Sequence, residues 1–119
     1  MDPRVQQTIN RMEGDLHRRL RVPELAAAVG LSVTQLTRLF RVETGATPGA
    51  FLHELRMNRA RILVEQTTLP IVEIMARVGI SDRSHFARDF RRAHGLSPRT
   101  HRIQQRVLTN GRCSSSHRR

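Results

Sequence analysis

Apolar residues recur at helical spacing along most of the chain, and nowhere do they show the two-residue alternation of a half-buried strand. Val5, Ile9, Met12, Leu16 and Leu20 follow one another at intervals of 4, 3, 4 and 4, which predicts an N-terminal helix. Leu25, Ala26 and Val29 carry a second helix from about Pro23 to Val29. Gly30 ends it, because glycine takes the left-handed conformation of a helix end without a Cβ penalty. Ser32, three residues before Gln35, forms a capping-box pattern that opens a third helix, with Leu36, Leu39 and Phe40 on one face and Gly45 at its end. From Pro48 to about Gln66, Phe51, Leu52, Leu55, Ala60, Leu63 and Val64 keep one side apolar, and a helix of that extent is roughly 28 Å long. Ile71, Ile74, Met75 and Val78 mark a fifth helix stopped by Gly79. Phe86 and Phe90 mark a sixth, with Asp82 as its N-cap and Gly95 at its end. Thr47-Pro48 and Ser97-Pro98 read as helix starts, a hydroxyl N-cap followed by proline at the first helical position. The second of them launches a final helix over about 98–107. Beyond Val107 the pattern dissolves, and Asn110-Gly111 with Ser114 to Ser116 predicts a disordered basic tail over 108–119. The fold class is all-α, with about seven helices.

Within this series one unit occurs twice. Arg38, Phe40, Arg41, Gly45, Thr47 and Pro48 recur fifty positions later as Arg88, Phe90, Arg91, Gly95, Ser97 and Pro98, so the pattern R-x-F-R-x-x-x-G-x-S/T-P appears two times. Val29-Gly30-Leu31-Ser32 is matched by Val78-Gly79-Ile80-Ser81 at an offset of forty-nine, so the second copy carries one extra residue just after its serine. Two copies are too few for a solenoid or propeller array. The reading is two helix-turn-helix subdomains, over about 23–45 and 70–95, joined by the long connector at about 48–66.

Composition narrows the class of partner. The 119 residues fit one domain with one compact core, and with four Phe, no Trp and no Tyr that core is built mainly of Leu, Ile, Val and Ala. All 21 basic residues are Arg, against 10 acids, for a formal net charge of +11. A surplus of that size attracts a polyanion. It is uneven: residues 82–119 hold ten Arg and two acids, net +8, leaving +3 for the first 81. The single cysteine, Cys113, excludes an internal disulfide framework and a cysteine zinc site, and favours a reducing compartment. No secretory signal opens the chain, and no stretch approaches the roughly 18 apolar residues of a membrane span, so a soluble cytoplasmic protein is expected. Binding to a lipid surface lacks the aromatic anchors that accompany it.

A helix, a tight turn and a second helix make the DNA-binding helix-turn-helix, in which the second helix enters the major groove and the first crosses the backbone. One copy is a weak signal, since many helical hairpins carry glycine in the turn. Two copies with Arg at matching points of the second helix, on a chain this basic, are a strong one. The run from Val78 to Arg92, closing with Gly95-Leu96-Ser97-Pro98, resembles the signature of the AraC/XylS family of bacterial transcription regulators. The resemblance extends to Leu25 through Ser32 and Arg38-Leu39-Phe40-Arg41 in the first unit and to Leu55-Arg56-Met57 with Ala60 in the connector, covering about Val5 to Arg102. It implies a seven-helix DNA-binding domain over 1–107, in which a long central helix holds two helix-turn-helix motifs apart. Three positions depart from the family pattern: Ile80 and His94 stand where aromatic residues are usual, and His101 stands where Tyr follows the Ser-Pro. They are expected to adjust and loosen the core of the second unit while leaving its DNA-reading face intact.

Successive major grooves on one face of B-DNA lie about 34 Å apart, a distance that a rod of roughly 28 Å plus the width of its ends can bridge. The expectation is a monomer reading an asymmetric site with two unlike helices. Exposed residues near a recognition helix's N-terminus reach furthest into the groove. In the first unit these are Val33, Thr34, Thr37 and Arg38, and the resemblance places base contacts at Thr34, Thr37 and Arg38. In the second the candidates are Arg83, Ser84, Ala87 and Arg88, with the base contacts assigned to Arg83, Ser84 and Arg88. Arg presents a fork that matches guanine O6 and N7, whereas Thr methyls suit thymine, so Arg83 and Arg88 point to a guanine-bearing half. His85 either joins them or caps the helix start. Arg38 and Arg88 have an alternative role in pairing with acids on neighbouring helices. Arg41, Arg91, Arg92, Arg99 and Arg102, with Ser97 at a helix N-terminus, are assigned to phosphates, which set register without reading sequence.

An enzyme is disfavoured: the carboxylates are scattered, there is no lysine for a phosphate loop, and no H-E-x-x-H spacing occurs. No metal or cofactor is expected, and Cys113 with His117 falls in the tail as an incidental pair. The main rival is an RNA-binding or ribosome-associated basic protein. Single-strand recognition, however, stacks bases on exposed aromatics, and the four Phe fall mostly on core-facing stripes. The family resemblance implies double-stranded DNA and RNA polymerase as partners and activation rather than repression. About twenty residues precede the first unit, too few for a ligand pocket. A stand-alone regulator and the DNA-binding part of a longer, dimerising protein both stay open.

Overall fold

The computed structural model describes residues 1–107. They contain seven helices and no strand: α1 (Pro3–Gly14), α2 (Val22–Ala28), α3 (Val33–Thr44), α4 (Pro48–Gln66), α5 (Ile71–Arg77), α6 (Arg83–His94) and α7 (98–107). The expected tail, Cys113 and His117 lie outside the described residues.

The helix boundaries follow the capping chemistry. Asp2 caps α1 by accepting from the Arg4 N–H at 2.8 Å, with Pro3 at the first helical position. The helix is shorter than the apolar spacing predicts. It closes at Gly14, with the Asp15 N–H on the Arg11 carbonyl, so Leu16 lies in the following turn yet is still buried. At α3 the capping box is complete: the Ser32 hydroxyl accepts from the Gln35 N–H at 3.1 Å, and Gln35 Oε1 accepts from the Ser32 N–H at 2.9 Å. The Thr47 hydroxyl accepts from the Ala50 N–H at the start of α4, and Ser97 accepts from the Thr100 N–H at the start of α7.

The chain divides into two compact units, where the sequence predicts one core. The first is Met1–Arg56 with Arg77–Gly79; the second is Met57–Ala76 with the chain from Ile80 onward. The boundary falls inside α4, a 19-residue helix that contributes Leu52 to one core and Met57, Ala60 and Val64 to the other. In the first unit Val5, Ile9, Met12 and Leu16 pack with Leu25, Ala26, Leu36, Phe40 and Leu52, and the rings of Phe40 and Phe51 meet edge to face at 5.6 Å. Gly79 belongs to this unit and is constrained twice. Its φ is +76°, and a Cβ there would collide with the Leu16 carbonyl oxygen. Beside it, Arg56 Nη2 donates to the Arg18 carbonyl at 2.9 Å, and burial pulls its guanidinium pKa below the ordinary value.

The second unit buries Met57, Ala60, Val64, Ile74, Met75, Phe86 and Phe90. His94 and His101 both set their rings edge-on to Phe90, with centroids 4.6 and 5.6 Å away. Each is also hydrogen-bonded. His94 Nε2 donates to the Met57 carbonyl at 3.0 Å, since a carbonyl only accepts, and His101 Nε2 meets Glu65 Oε2 at 2.9 Å. The two imidazoles thus make edge contacts with Phe90 and each add a polar anchor.

Candidate nucleic-acid interface

Helices α3 and α6 are built alike. Each has 12 residues, and each ends on a glycine at positive φ, Gly45 at +81° and Gly95 at +86°. Residues 32–50 and 82–100 carry the same sequence of buried, half-buried and exposed positions, one for one. The apolar spacing accounts for this: Leu36 and Phe40 are buried on α3 as Phe86 and Phe90 are on α6, so the same opposite face is left to solvent on both. The extra residue of the second copy lies in the turn before α6. There Asp82 rather than Ser81 takes the cap, its carboxylate accepting from the His85 N–H at 2.8 Å. That hydrogen bond is the main reason the Asp82 carboxyl lies below its ordinary pKa, with the His85 and Arg88 charges adding to it. His85 thus helps the helix start through its backbone, and its side chain stays exposed.

The exposed face of α3 forms a shallow groove of about 460 Å³ lined by Thr34, Thr37, Arg38 and Arg41, with Val33 and Val42 at its margins. The three residues expected to read bases thus share one surface with Arg41, which was expected on phosphate. Val42, one helical turn past Arg38, was not singled out from the sequence. The signal for it was a valine four residues after Arg38 on the helix. On α6, Arg83, Ser84, Arg88, Arg91 and Arg92 are exposed, and Ala87, like Thr37, is half-buried. Arg38 and Arg88 are both exposed, and the Arg88 charge acts on the Asp82 carboxylate that caps its own helix. Arg83, Ser97 and Arg99 line one open pocket of about 120 Å³ together with Phe86 and Pro98, so a residue expected on bases and two expected on phosphate are neighbours.

Two of the residues assigned to phosphate are otherwise engaged. Arg102 donates from Nε to the Val64 carbonyl at 3.1 Å, from Nη1 to Leu69 at 2.6 Å and from Nη2 to Leu63 at 3.5 Å. Burial first, and the charge of Arg106 second, pull its pKa below the ordinary value. Arg102, expected on phosphate, thus spends its guanidinium on the end of α4 and on the segment that follows it, tying Leu63 and Val64 to Leu69. Ser97 spends its hydroxyl on Thr100, accepting the N–H at 3.2 Å and bonding Oγ1 at 2.9 Å, so its side chain serves the start of α7. Glu65, which holds His101, also pairs with Arg61 Nη1 at 3.1 Å. No group of three His, Cys, Asp or Glu among the described residues is placed to hold a metal ion, and none of their helices is long and apolar enough to cross a membrane.

A family described as "Helix-turn-helix domain" matches residues 25–104. An AraC-type DNA-binding domain protein from Chromobacterium violaceum superposes with a TM-score of 0.79 at 36% identity, over 87% of this chain and 92% of that one. The chain belongs to the AraC/XylS family. The DNA-binding domain of AdpA, solved in complex with a target DNA, is similar to this AraC/XylS-type domain with a TM-score of 0.85 at 29% identity, over 91% of this chain and 96% of that one. Among curated relatives, the transcriptional regulator ArgR of Pseudomonas aeruginosa is 35% identical over 104 residues, 87% of this chain and 32% of its own length. The transcriptional activator RhaS of Klebsiella pneumoniae is 33% identical over 98 residues, 82% of this chain and 35% of its own. The chain spans about a third of the length of these regulators. The relatives named here are regulators and DNA-binding domains, not enzymes.

Proposed function

We propose that the chain is the double-stranded DNA-binding module of a transcription regulator, inserting α3 and α6 into adjacent major grooves of an asymmetric site. The observation that carries this reading is the shared frame of the two helices, which turns the same face outward on each and furnishes it with exposed arginines. Such a pair suits a polyanion with a helical repeat, and the target DNA bound by AdpA's similar domain supports DNA as that polyanion. Thr34, Thr37 and Arg38 on α3, and Arg83, Ser84 and Arg88 on α6, read base edges. Arg41, Arg91, Arg92 and Arg99 hold phosphates and fix register. The domain binds as a monomer in the cytoplasm, engages RNA polymerase and activates transcription, the last supported by the activator name of the RhaS relative. Competition of duplex DNA against structured and single-stranded RNA for the full chain at physiological salt tests the reading. Duplex DNA is expected to displace RNA at lower concentration; preference for RNA overturns it.

A further inference from the structure

The two outward faces differ at their margins. Val33 and Val42 border the groove of α3, and the positions fifty residues on, in the same place on α6, are Arg83 and Arg92. Val33 is 42% exposed and Val42 77% exposed. Apart from Met1, these two are the exposed large hydrophobic residues of the first unit among the described residues, and both lie on the one groove that carries Thr34, Thr37, Arg38 and Arg41. A single exposed valine needs no explanation. Two that flank one reading surface, where the sister helix has two arginines, set its chemistry. On the α3 face hydroxyls and guanidinium groups lie at the centre and branched methyls at the borders.

In the major groove the one apolar feature of a base pair is the thymine 5-methyl. We infer that Val33 and Val42 are specificity-determining residues that pack against thymine methyls, so that the α3 half of the site is recognised through thymine. Arg83 and Arg92 make the α6 half depend on guanine and phosphate contacts instead. This rests on the reading that the chain binds duplex DNA. Shielding one methyl from water changes affinity about fourfold, and a valine reaching two methyls roughly doubles that on a logarithmic scale.

The test replaces thymine with deoxyuridine, which removes the methyl and keeps every hydrogen-bonding group. A site is first obtained by selection from randomised duplexes with the full chain. Each thymine is then exchanged in turn, and binding is measured for the unaltered protein, for Val33→Ala and for Val42→Ala. Both side chains are exposed and alanine is the better helix former, so neither variant endangers the fold. The unaltered protein is expected to lose about fourfold at one or more thymines of the α3 half and nothing at thymines of the α6 half. At the affected positions one or both variants bind thymine and uracil equally. The inference is overturned if uracil costs the unaltered protein nothing anywhere in the α3 half, or if both variants keep the full thymine preference. The parent reading fails separately, at the first step, if selection yields no duplex with a preferred sequence.

Discussion

The two helix-turn-helix units share a backbone plan and differ in what fills it. Phe40 meets Phe51 edge to face at 5.6 Å in the first; fifty residues on, Phe90 meets His101 edge to face at the same 5.6 Å. Leu52, buried in the first core, gives way to Arg102, which clamps three carbonyls. Outside, Val33 and Val42 give way to Arg83 and Arg92. The second unit is thus more polar both within and without. The repeat preserves ring positions, caps and the glycine stops, and lets the chemistry at matched positions diverge. One frame can therefore carry two unlike reading faces.

The sharpest contrast is at the turns. Gly30 and Gly79 both have positive φ, +72° and +76°, but a Cβ on Gly30 meets nothing within 4 Å, whereas one on Gly79 strikes the Leu16 carbonyl. Gly30→Ala is expected to cost about 1 to 2 kcal/mol, the left-handed penalty alone. Gly79→Ala should cost about 3 kcal/mol or more, because backbone must move as well. Urea unfolding of the two variants measures the difference, and equal losses would break the contrast.

Next in size is the division between clamping and phosphate-holding arginines. Arg102→Ala is expected to destabilise the second unit by about 2 to 3 kcal/mol, through loss of its charge-assisted hydrogen bonds to the Leu63, Val64 and Leu69 carbonyls, and to leave the salt dependence of DNA binding unchanged. Arg99→Ala should do the reverse, keeping the melting temperature and lowering the salt slope by about one. A flattened salt slope in the Arg102 variant would return that residue to the phosphates.

Arg83→Ala should weaken binding about ten- to hundredfold on the preferred site and relax preference at a single position, the mark of a base reader. Its place beside Ser97 and Arg99 gives the experiment its edge: a loss uniform over all sequences would make Arg83 a phosphate contact.

The smallest effect is on acid. The two recognition helices start differently, Ser32 being neutral and Asp82 a carboxylate held below its ordinary pKa by the His85 N–H. Burial is the largest influence on Glu65 and raises its pKa, but the hydrogen bonds and charges of His101 and Arg61 outweigh it and leave the group lowered. Both carboxylates therefore contribute stability that is fully present above the ordinary carboxylate range and is lost as pH falls through their lowered folded values. Both lie in the second unit. Amide exchange at about pH 3 should show α6 losing protection before α3, and Asp82→Asn, which keeps a capping oxygen, should narrow the gap.

Much of this was legible in the sequence, because caps and stops are local. Ser32 with Gln35, Asp82, Thr47-Pro48 and Ser97-Pro98 each start a helix where the residues say, and Gly30, Gly45, Gly79 and Gly95 each follow an end. What escaped depends on contacts distant in the chain. An arginine four residues past Pro98 is as consistent with a phosphate as with the carbonyls of residues 63, 64 and 69, and only the tertiary structure decides. The apolar interval runs on through Gly14, where α1 ends, to Leu16 and Leu20, since residues in a turn can fill a core as well as residues on a helix. The face of α3 was legible as a position, but Val42 lacked any polar group to draw attention to it.

The central claim is that one chain reads two unlike halves with α3 and α6. The most direct measurement is a binding-site selection from randomised duplex DNA with the 119-residue chain, with the stoichiometry of the selected complex determined alongside. The expected result is a non-palindromic site bound by one copy, with two preferred blocks about one helical turn apart, one dominated by thymine and the other by guanine. A palindrome bound only by two copies would contradict it.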